Sequence, residues 1–540
     1  MKDFIKNLLV NRYWAVAFLF AAAKLLIHFL TNTSYELHRD EMLYFNMGEH
    51  LSAGYATVPP LIGFLAMLIN RIFGFSVFWI RFLPALMGAA SVYIIASIVK
   101  DLEGGITALI IAALSYLLAP GFLLVDTLFT PNATEQFIWL LATWTIFRMV
   151  RTGNPGMWIS TGIIISIGFL NKYSVLFLVA GMFIALLSTS NRKLLSSKYF
   201  YLSLLTGLVI ISPNIVWQYF HCWPVISHMG ELKSSQLDLM GFSDFPVSLF
   251  SFCQGSAFLW VFGLVVLLFF RNERQYRYLG VASAVILILF FLGRGKGYYA
   301  LGAIPFLLAF GGYAFEKYLS GNLRIAGYII FSVSILMSAS AMPSGLPVMS
   351  HSSYGRYIEK TRRFIIHPFL DWDDGTKNSF SQVWADMTGW KELAGLVAEA
   401  YNSLSVTEKK SCTVFCERNY GCAGAINFYG EEYGLPEAVT FHESYIFWAP
   451  DSIPDGPMIY VYRDIKDLDT YFGNITEVGS VDNSYFREKG LKVFLCSEPL
   501  EDVCAAYKEL ARSEKSRYIR ILKTSKDRKM AKTAQGHNMK

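Results

Sequence analysis

Residues 157–190, MWISTGIIISIGFLNKYSVLFLVAGMFIALLSTS, form two apolar runs, 157–171 and 174–190, with one cation, Lys172, in the turn between them. Runs with almost no charge and near the length of a bilayer core read as transmembrane helices, here an up-and-down pair. Working outward from that pair, comparable runs recur at 13–31, 79–99, 106–120, 134–149, 199–220, 247–270, 278–293, 300–315 and 325–342, which makes eleven expected spans. The stretch 61–70, LIGFLAMLIN, is apolar but too short to cross, and reads as a helix lying at the interface. The first run reads as a retained span, because no A-x-A-like cleavage site follows it and the chain goes on crossing.

The composition agrees. The chain has 540 residues, 54% hydrophobic and 16% charged, where soluble domains carry about 25% charge. The charges are uneven, with 36 in residues 1–342 and 52 in residues 343–540. The expected organisation is therefore a helical polytopic membrane body, 1–342, followed by a soluble domain, 343–540. Seven cysteines and 16% aromatics exclude a disulfide scaffold, a collagen-like chain and a disordered one. No nucleic-acid partner is expected.

Charge sets the orientation. With the N-terminus inside, 14 basic residues fall on the inner side, and 7 (Arg39, Arg71, Arg81, Lys172, Lys233, Arg294 and Lys296) on the outer side. The positive-inside rule then places the N-terminus in the cytoplasm. An odd number of spans puts residues 343–540 on the outer, periplasmic side of the inner membrane.

Nearly all the unusual polar residues share that outer face. The first outer connection, 32–78, includes TNTSYELHRDEMLYFNMGEHLSAGYATVPP, with Asp40 and Glu41 adjacent at the start of a helix-like stretch. A loop of this size tends to be functional, and a carboxylate there suits a general base that strips a proton from an acceptor. A solvated helix N-terminus, favoured by the dipole, accounts for the pair equally simply. Asp126 lies in the next outer connection, and Glu135 in the first turn of the following span, TPNATEQ. Acids at such depth are costly and usually face a cavity, though capping by 132–134 also explains Glu135. Lys172 is either a phosphate ligand or a snorkelling lysine. GRGKGYYALGAIP carries Arg294 and Lys296 between glycines, followed by Tyr298 and Tyr299. Glycines admit a ligand close to the backbone and two cations suit phosphate oxygens, while a charged turn with an aromatic belt is the plainer reading. Arg81 is a phosphate ligand or a membrane anchor. His221, in HCWPVISHMGELK, is a candidate substrate contact, and with His228 and Glu231 makes only a weak metal pattern. Acids and cations gathered at one boundary suggest catalysis on a phosphate-bearing lipid.

These residues stand in motifs that resemble the GT-C membrane glycosyltransferases, in the bacterial branch related to the dolichyl-phosphate-mannose protein mannosyltransferases and to aminoarabinose transferase. The landmarks run in order: ELHRDEMLYFNMGEHLSAGYATVPPL at 36–61, IRFLPALMGAA at 80–90, TPNATEQFIW at 130–139, GFLNKYSVLF at 168–177, SPNIVWQ at 212–218, and GKGYYALGAIPFLLAFGGYAFE at 295–316. ADMTGW at 385–390, RNYGCAGAINFYGEEYGLP at 418–436 and FHESYIFWAP at 441–450 extend it through the tail. The resemblance implies a GT-C fold and an inverting transfer of sugar from a polyprenyl-phosphate donor to an acceptor outside the inner membrane. It puts the base at Asp40 with Glu41 beside it, leaves Asp126 and Glu135 as candidates for a second acid, and offers Lys296, Tyr298, Tyr299 and Lys172 for the donor phosphate. The resemblance leaves room for a divalent cation, but no ligand set in this sequence demands a metal. The acceptor, whether glycolipid, polysaccharide or protein, is not named by any motif.

In the tail, the β-like runs CTVFC, PMIYVYR and KVFLC alternate with a helical stretch, GWKELAGLVAEAYNSL, which predicts a small α/β domain. Five cysteines, Cys412, Cys416, Cys422, Cys496 and Cys504, make one or two disulfides an expectation in an oxidising compartment. From Lys508 onward, 11 basic and 3 acidic residues read as a solvated, partly disordered tail. A transporter or flippase of lipid-linked sugar is the rival class. It lacks support from internal repeats or paired broken helices, and the polar residues gather at one face instead of the midplane. A receptor or scaffold would leave the first-loop acids and the GKGYY stretch without a job.

Overall fold

A computed structural model describes residues 12–537 except 368, 374 and 501, with side chains described as far as residue 521. Lys2 and Lys6, counted above on the inner side, lie outside the described residues. The chain is mostly helical, with one four-stranded sheet in its C-terminal part. It divides into two compact units: Met1–Ser34, Phe78–Pro213 and Ser234–Ser381 form the first, and Tyr35–Val77, Asn214–Lys233 and Gln382–Lys540 the second.

All eleven apolar runs are helical. Among the described residues, seven elements are long and apolar enough to cross a membrane: Arg12–Thr31, Val77–Asp101, Lys198–Phe220, Asp244–Phe269, Arg271–Leu292, Gly297–Tyr318 and Gly321–Ser340. An eighth is added if Val175–Leu187 and Ser190–Ser196, bent by 114°, make one span. The difference from eleven has a physical cause. Helices Ile106–Leu118 and Met157–Asn171 have 13 and 15 residues, short of the roughly 20 that a crossing needs. Helix Pro131–Thr152 has 22 residues, but Glu135, Gln136, Arg148 and Arg151 dilute its apolar character. Within the first unit, helices Ala257–Phe269 and Ile304–Tyr318 approach backbone to backbone. A Cβ at Gly311 would come within 2.3 Å of Leu259 O, and one at Gly263 within 2.5 Å of Leu307 O. Small residues at such contacts replace the hydrophobic drive that lipid does not supply.

In the second unit, β1 (Thr413–Cys416), β2 (Met458–Tyr462), β3 (Phe472–Ser480) and β4 (Lys492–Pro499) pair in the order β1-β2-β4-β3, with β1 and β2 parallel and the other pairs antiparallel. Three of the four coincide with the apolar runs of the sequence. The edge strand β3, FGNITEVGS, mixes polar residues and glycines and carries no such signal. Phe415, Met458, Tyr460, Phe494 and Cys496 cluster with Val503, Tyr507 and Ala511 of the C-terminal helix Val503–His537. The helical stretch of the sequence is Trp390–Ser403, which packs against β3 and β4.

Two expectations are corrected here. The tail beyond Lys508 is helical through His537, because its first turns are committed to the sheet by Tyr507 and Ala511. All seven cysteines are free. Cys412, Cys416, Cys422 and Cys496 are buried as small apolar residues in the second unit.

Candidate active site

In the second unit, helix Arg39–Glu49 begins with a capping box. His38 Nδ1 accepts from Asp40 N at 3.1 Å, and Glu41 Oε2 accepts from His38 N at 2.8 Å. Glu41 is buried, so the adjacent acids separate into two roles. Glu41 closes the helix end. Asp40 keeps a side chain 37% exposed and accepts from Tyr420 Oη at 2.6 Å. It is therefore a positioned carboxylate instead of a freely solvated one.

The residues beneath it are locked. Arg39 lies 4.4 Å from the Tyr420 ring centre and pairs with Glu488 at 3.4 Å. Buried Asp386 accepts from Arg487 Nη1 at 2.9 and 3.1 Å and faces His38 Nε2 at 3.6 Å. Tyr420 opens helix Tyr420–Tyr429, whose N-cap Asn419 accepts from the amides of Gly421 and Cys422. His442 Nδ1 accepts from Tyr420 N at 3.3 Å. Burial, helped by Arg39 and Arg418, lowers the His442 imidazole to about 4, so it serves as a neutral acceptor. His221 stacks on Trp217 at 4.0 Å, its Nδ1 against Trp217 O at 2.8 Å, and also meets Phe447 at 5.5 Å.

In the first unit, Lys172 caps the end of helix Met157–Asn171. Its ammonium donates to Asn132 Oδ1 at 2.7 Å and to Glu135 Oε2 at 2.8 Å. Ser174 Oγ donates to the other oxygen of Glu135. Tyr299 and Tyr298 flank the ammonium at 5.1 and 5.8 Å. Glu135, Lys172, Tyr298 and Tyr299, drawn from three parts of the sequence, thus meet. Lys296, next to the tyrosines in sequence, pairs with Asp373 at 2.6 Å. Arg294 turns elsewhere: at φ 50° it reaches Asp238 O at 3.3 Å and lies over Phe242. Arg81 is fully buried and donates to Asn32 O at 2.6 Å, a contact inside the first unit.

Asp126 is the sharpest departure from an open catalytic acid. It pairs with Lys24 at 2.8 Å, both side chains 0% exposed. Tyr116 Oη donates to Asp126 Oδ2 at 3.1 Å, Gln136 Nε2 donates to Tyr116 Oη at 2.6 Å, and Lys24 also donates to Phe122 O. A Cβ at Gly88 would stand 2.5 Å from the same Oδ2, so only glycine leaves room for the pair. Sequence reading missed Lys24, although a lone cation amid an apolar run is itself the signal of a buried partner. It also missed Tyr420 and Asp386, whose contacts with the first loop are more than 340 residues distant in sequence, and Arg487, which pairs with Asp386. Among the described residues, no group of three or more His, Cys, Asp or Glu could hold a metal ion.

The apolar helices and the fold are those of a multi-pass membrane protein of GT-C type. Residues 57–217 match the family described as dolichyl-phosphate-mannose-protein mannosyltransferase. Over 199 residues the chain is 25% identical to the lipid A galacturonosyltransferase RgtD of Rhizobium johnstonii, covering 36% of this chain and 41% of that protein. The chain thus matches less than half the length of that relative. Among solved structures, it resembles ArnT from Cupriavidus metallidurans bound to undecaprenyl phosphate, with a TM-score of 0.60 and 14% identity over 89% of this chain and 98% of that one. The apo form of the same protein gives 0.58 and 15% over 89% and 97%. At these identities the structural likeness speaks to the fold alone. By this partial family match and by fold, the chain is similar to the GT-C membrane glycosyltransferases. None of these relatives supports the transporter reading.

Proposed function

We propose that the protein is an inverting glycosyltransferase that moves a sugar from a polyprenyl-phosphate donor to an acceptor at the outer face of the inner membrane. The observation that carries this reading is Asp40, a part-exposed carboxylate held at 2.6 Å by Tyr420 at the start of a buried helix. The match to a polyprenyl-type family and the name of the galacturonosyltransferase support it, as does the undecaprenyl phosphate of the ArnT structure.

Asp40 takes the proton of the acceptor hydroxyl or amine as that atom attacks the anomeric carbon. The bond from that carbon to the phosphate oxygen breaks, and its electron pair leaves on the lipid phosphate. Single displacement inverts the configuration. The phosphate needs no proton to depart, so cations carry the rest of the catalysis. Lys172 is suited to hold it, because two of its three N–H groups are used by Asn132 and Glu135, which leaves one for a phosphate oxygen. Tyr298 and Tyr299, whose rings flank the Lys172 ammonium, and Lys296 are the further groups that the family resemblance offers for the phosphate. Glu135 then orients Lys172, while Asp126 serves the buried pair with Lys24.

The test is transfer in purified membranes from a panel of radiolabelled polyprenyl-phosphate sugars, with lipid A as the first acceptor offered and glycans and proteins next. Transfer from at least one donor is expected, and none from any would sink the proposal. Lys172→Ala is expected to weaken donor use by about tenfold to a hundredfold, the loss of a charged hydrogen bond worth about 1.5–3 kcal/mol. The effect should appear in the KM for donor and not in that for acceptor.

A further inference from the structure

Glu443 opens the turn Glu443–Phe447 at φ 56°, in the left-handed region that glutamate rarely occupies. The turn is held there from several sides. Ser444 Oγ accepts from Ala56 N at 3.1 Å, Phe447 packs on Trp217 at 5.3 Å and on Tyr518 at 5.7 Å, and Trp448 stacks on His50 at 4.8 Å. Glu443 Oε2 is closed off from solvent and meets no hydrogen-bond partner among the described residues, while the Thr57 hydroxyl hydrogen-bonds the carboxyl group. A buried acceptor left open in a strained, over-determined turn does nothing for stability and is a mark of function.

The groups facing this carboxyl come from every segment packed against it. Burial first, then the charges of Asp40 and Glu231, push it up to about 7, against the opposing pull of Arg39 and the hydroxyl of Thr57. The phenols of Tyr44, Tyr420 and Tyr518, which also feel its charge, are raised mainly by burial and stay neutral.

We propose that Glu443 is a second carboxylate of the transfer site, an electrostatic partner of Asp40 whose ionisation accelerates the reaction. This rests on the reading of Asp40 as the base. As the acceptor attacks, positive charge gathers on its oxygen and on the anomeric carbon before the proton and the leaving group depart. An ionised Glu443 beside Asp40 stabilises that charge, and a neutral one does not. The rate therefore climbs as pH rises through the titration of Glu443.

The experiment is the pH profile of transfer by the full chain in membranes, from about pH 5 to about pH 9. Wild type should rise to a plateau with its midpoint near 7. Glu443→Gln should remain flat at the low-pH level, and Glu443→Asn, which tolerates the positive φ, should do the same. Glu231→Gln removes a charge that raises Glu443 and should move the midpoint to lower pH with the plateau unchanged. A wild-type rise retained in Glu443→Gln, loss of transfer at every pH in a folded Glu443 variant, or an unmoved midpoint in Glu231→Gln would overturn the proposal. Full activity in Asp40→Asn would instead defeat the base assignment, so the two failures are distinguishable.

Discussion

Asp40→Asn is expected to cut transfer by about 10²–10⁴-fold, the usual worth of a positioned general base. The amide oxygen can still accept from Tyr420 Oη, which lies 2.6 Å from the carboxylate, and the helix cap is made by His38 and Glu41 instead of by the Asp40 side chain. The variant should therefore fold and bind donor. Transfer and thermal unfolding measured on one detergent preparation separate chemistry from folding. An active Asp40→Asn would move the base to another acid. Tyr420→Phe should give a milder loss, since it frees the carboxylate without removing it.

The second large effect concerns stability. Lys24→Met leaves Asp126 charged and unpaired in a site where both side chains are fully buried. Breaking such a pair from one side costs about 3–5 kcal/mol. A marked fall in unfolding temperature is the expected outcome. Adding Asp126→Asn removes the stranded charge yet keeps an acceptor for Tyr116, and should restore most of the loss. If the double variant were no more stable than Lys24→Met, the pair would not be what holds this part of the first unit together.

Much of the architecture was legible because bilayer burial writes itself as long apolar runs. The run from Ile159 to Leu187 shows both its helices and its lysine turn. The same local signal failed at β3, where an edge strand needs few apolar residues, and in the tail, whose charge hid the apolar contacts of Tyr507 and Ala511. The acids of the first loop were visible as a pair, but their division of labour was not. Nothing in the local pattern separates a capping Glu41 from a presented Asp40, because the tyrosine that decides it lies 380 residues away. Lys24 and Asp126 each looked like isolated costs, and only the fold pairs them. Glu443 sits in FHESYIFWAP with nothing to single it out, since strain and an empty hydrogen-bonding site have no signature in sequence.

The second unit is assembled from three stretches far apart in the chain, 35–77, 214–233 and 382–540. A ribosome delivers them in that order, so the stretch bearing Asp40 is made long before Tyr420, Arg487 or Glu443 exists. Contacts of such sequence separation form late and slowly. The newborn protein must pass through a stage in which its membrane helices are synthesised while its acidic loop has no tyrosine to hold it. On the role proposed for Asp40, competence is thereby tied to completion: a chain halted before residue 420 would carry that carboxylate without the tyrosine that fixes it.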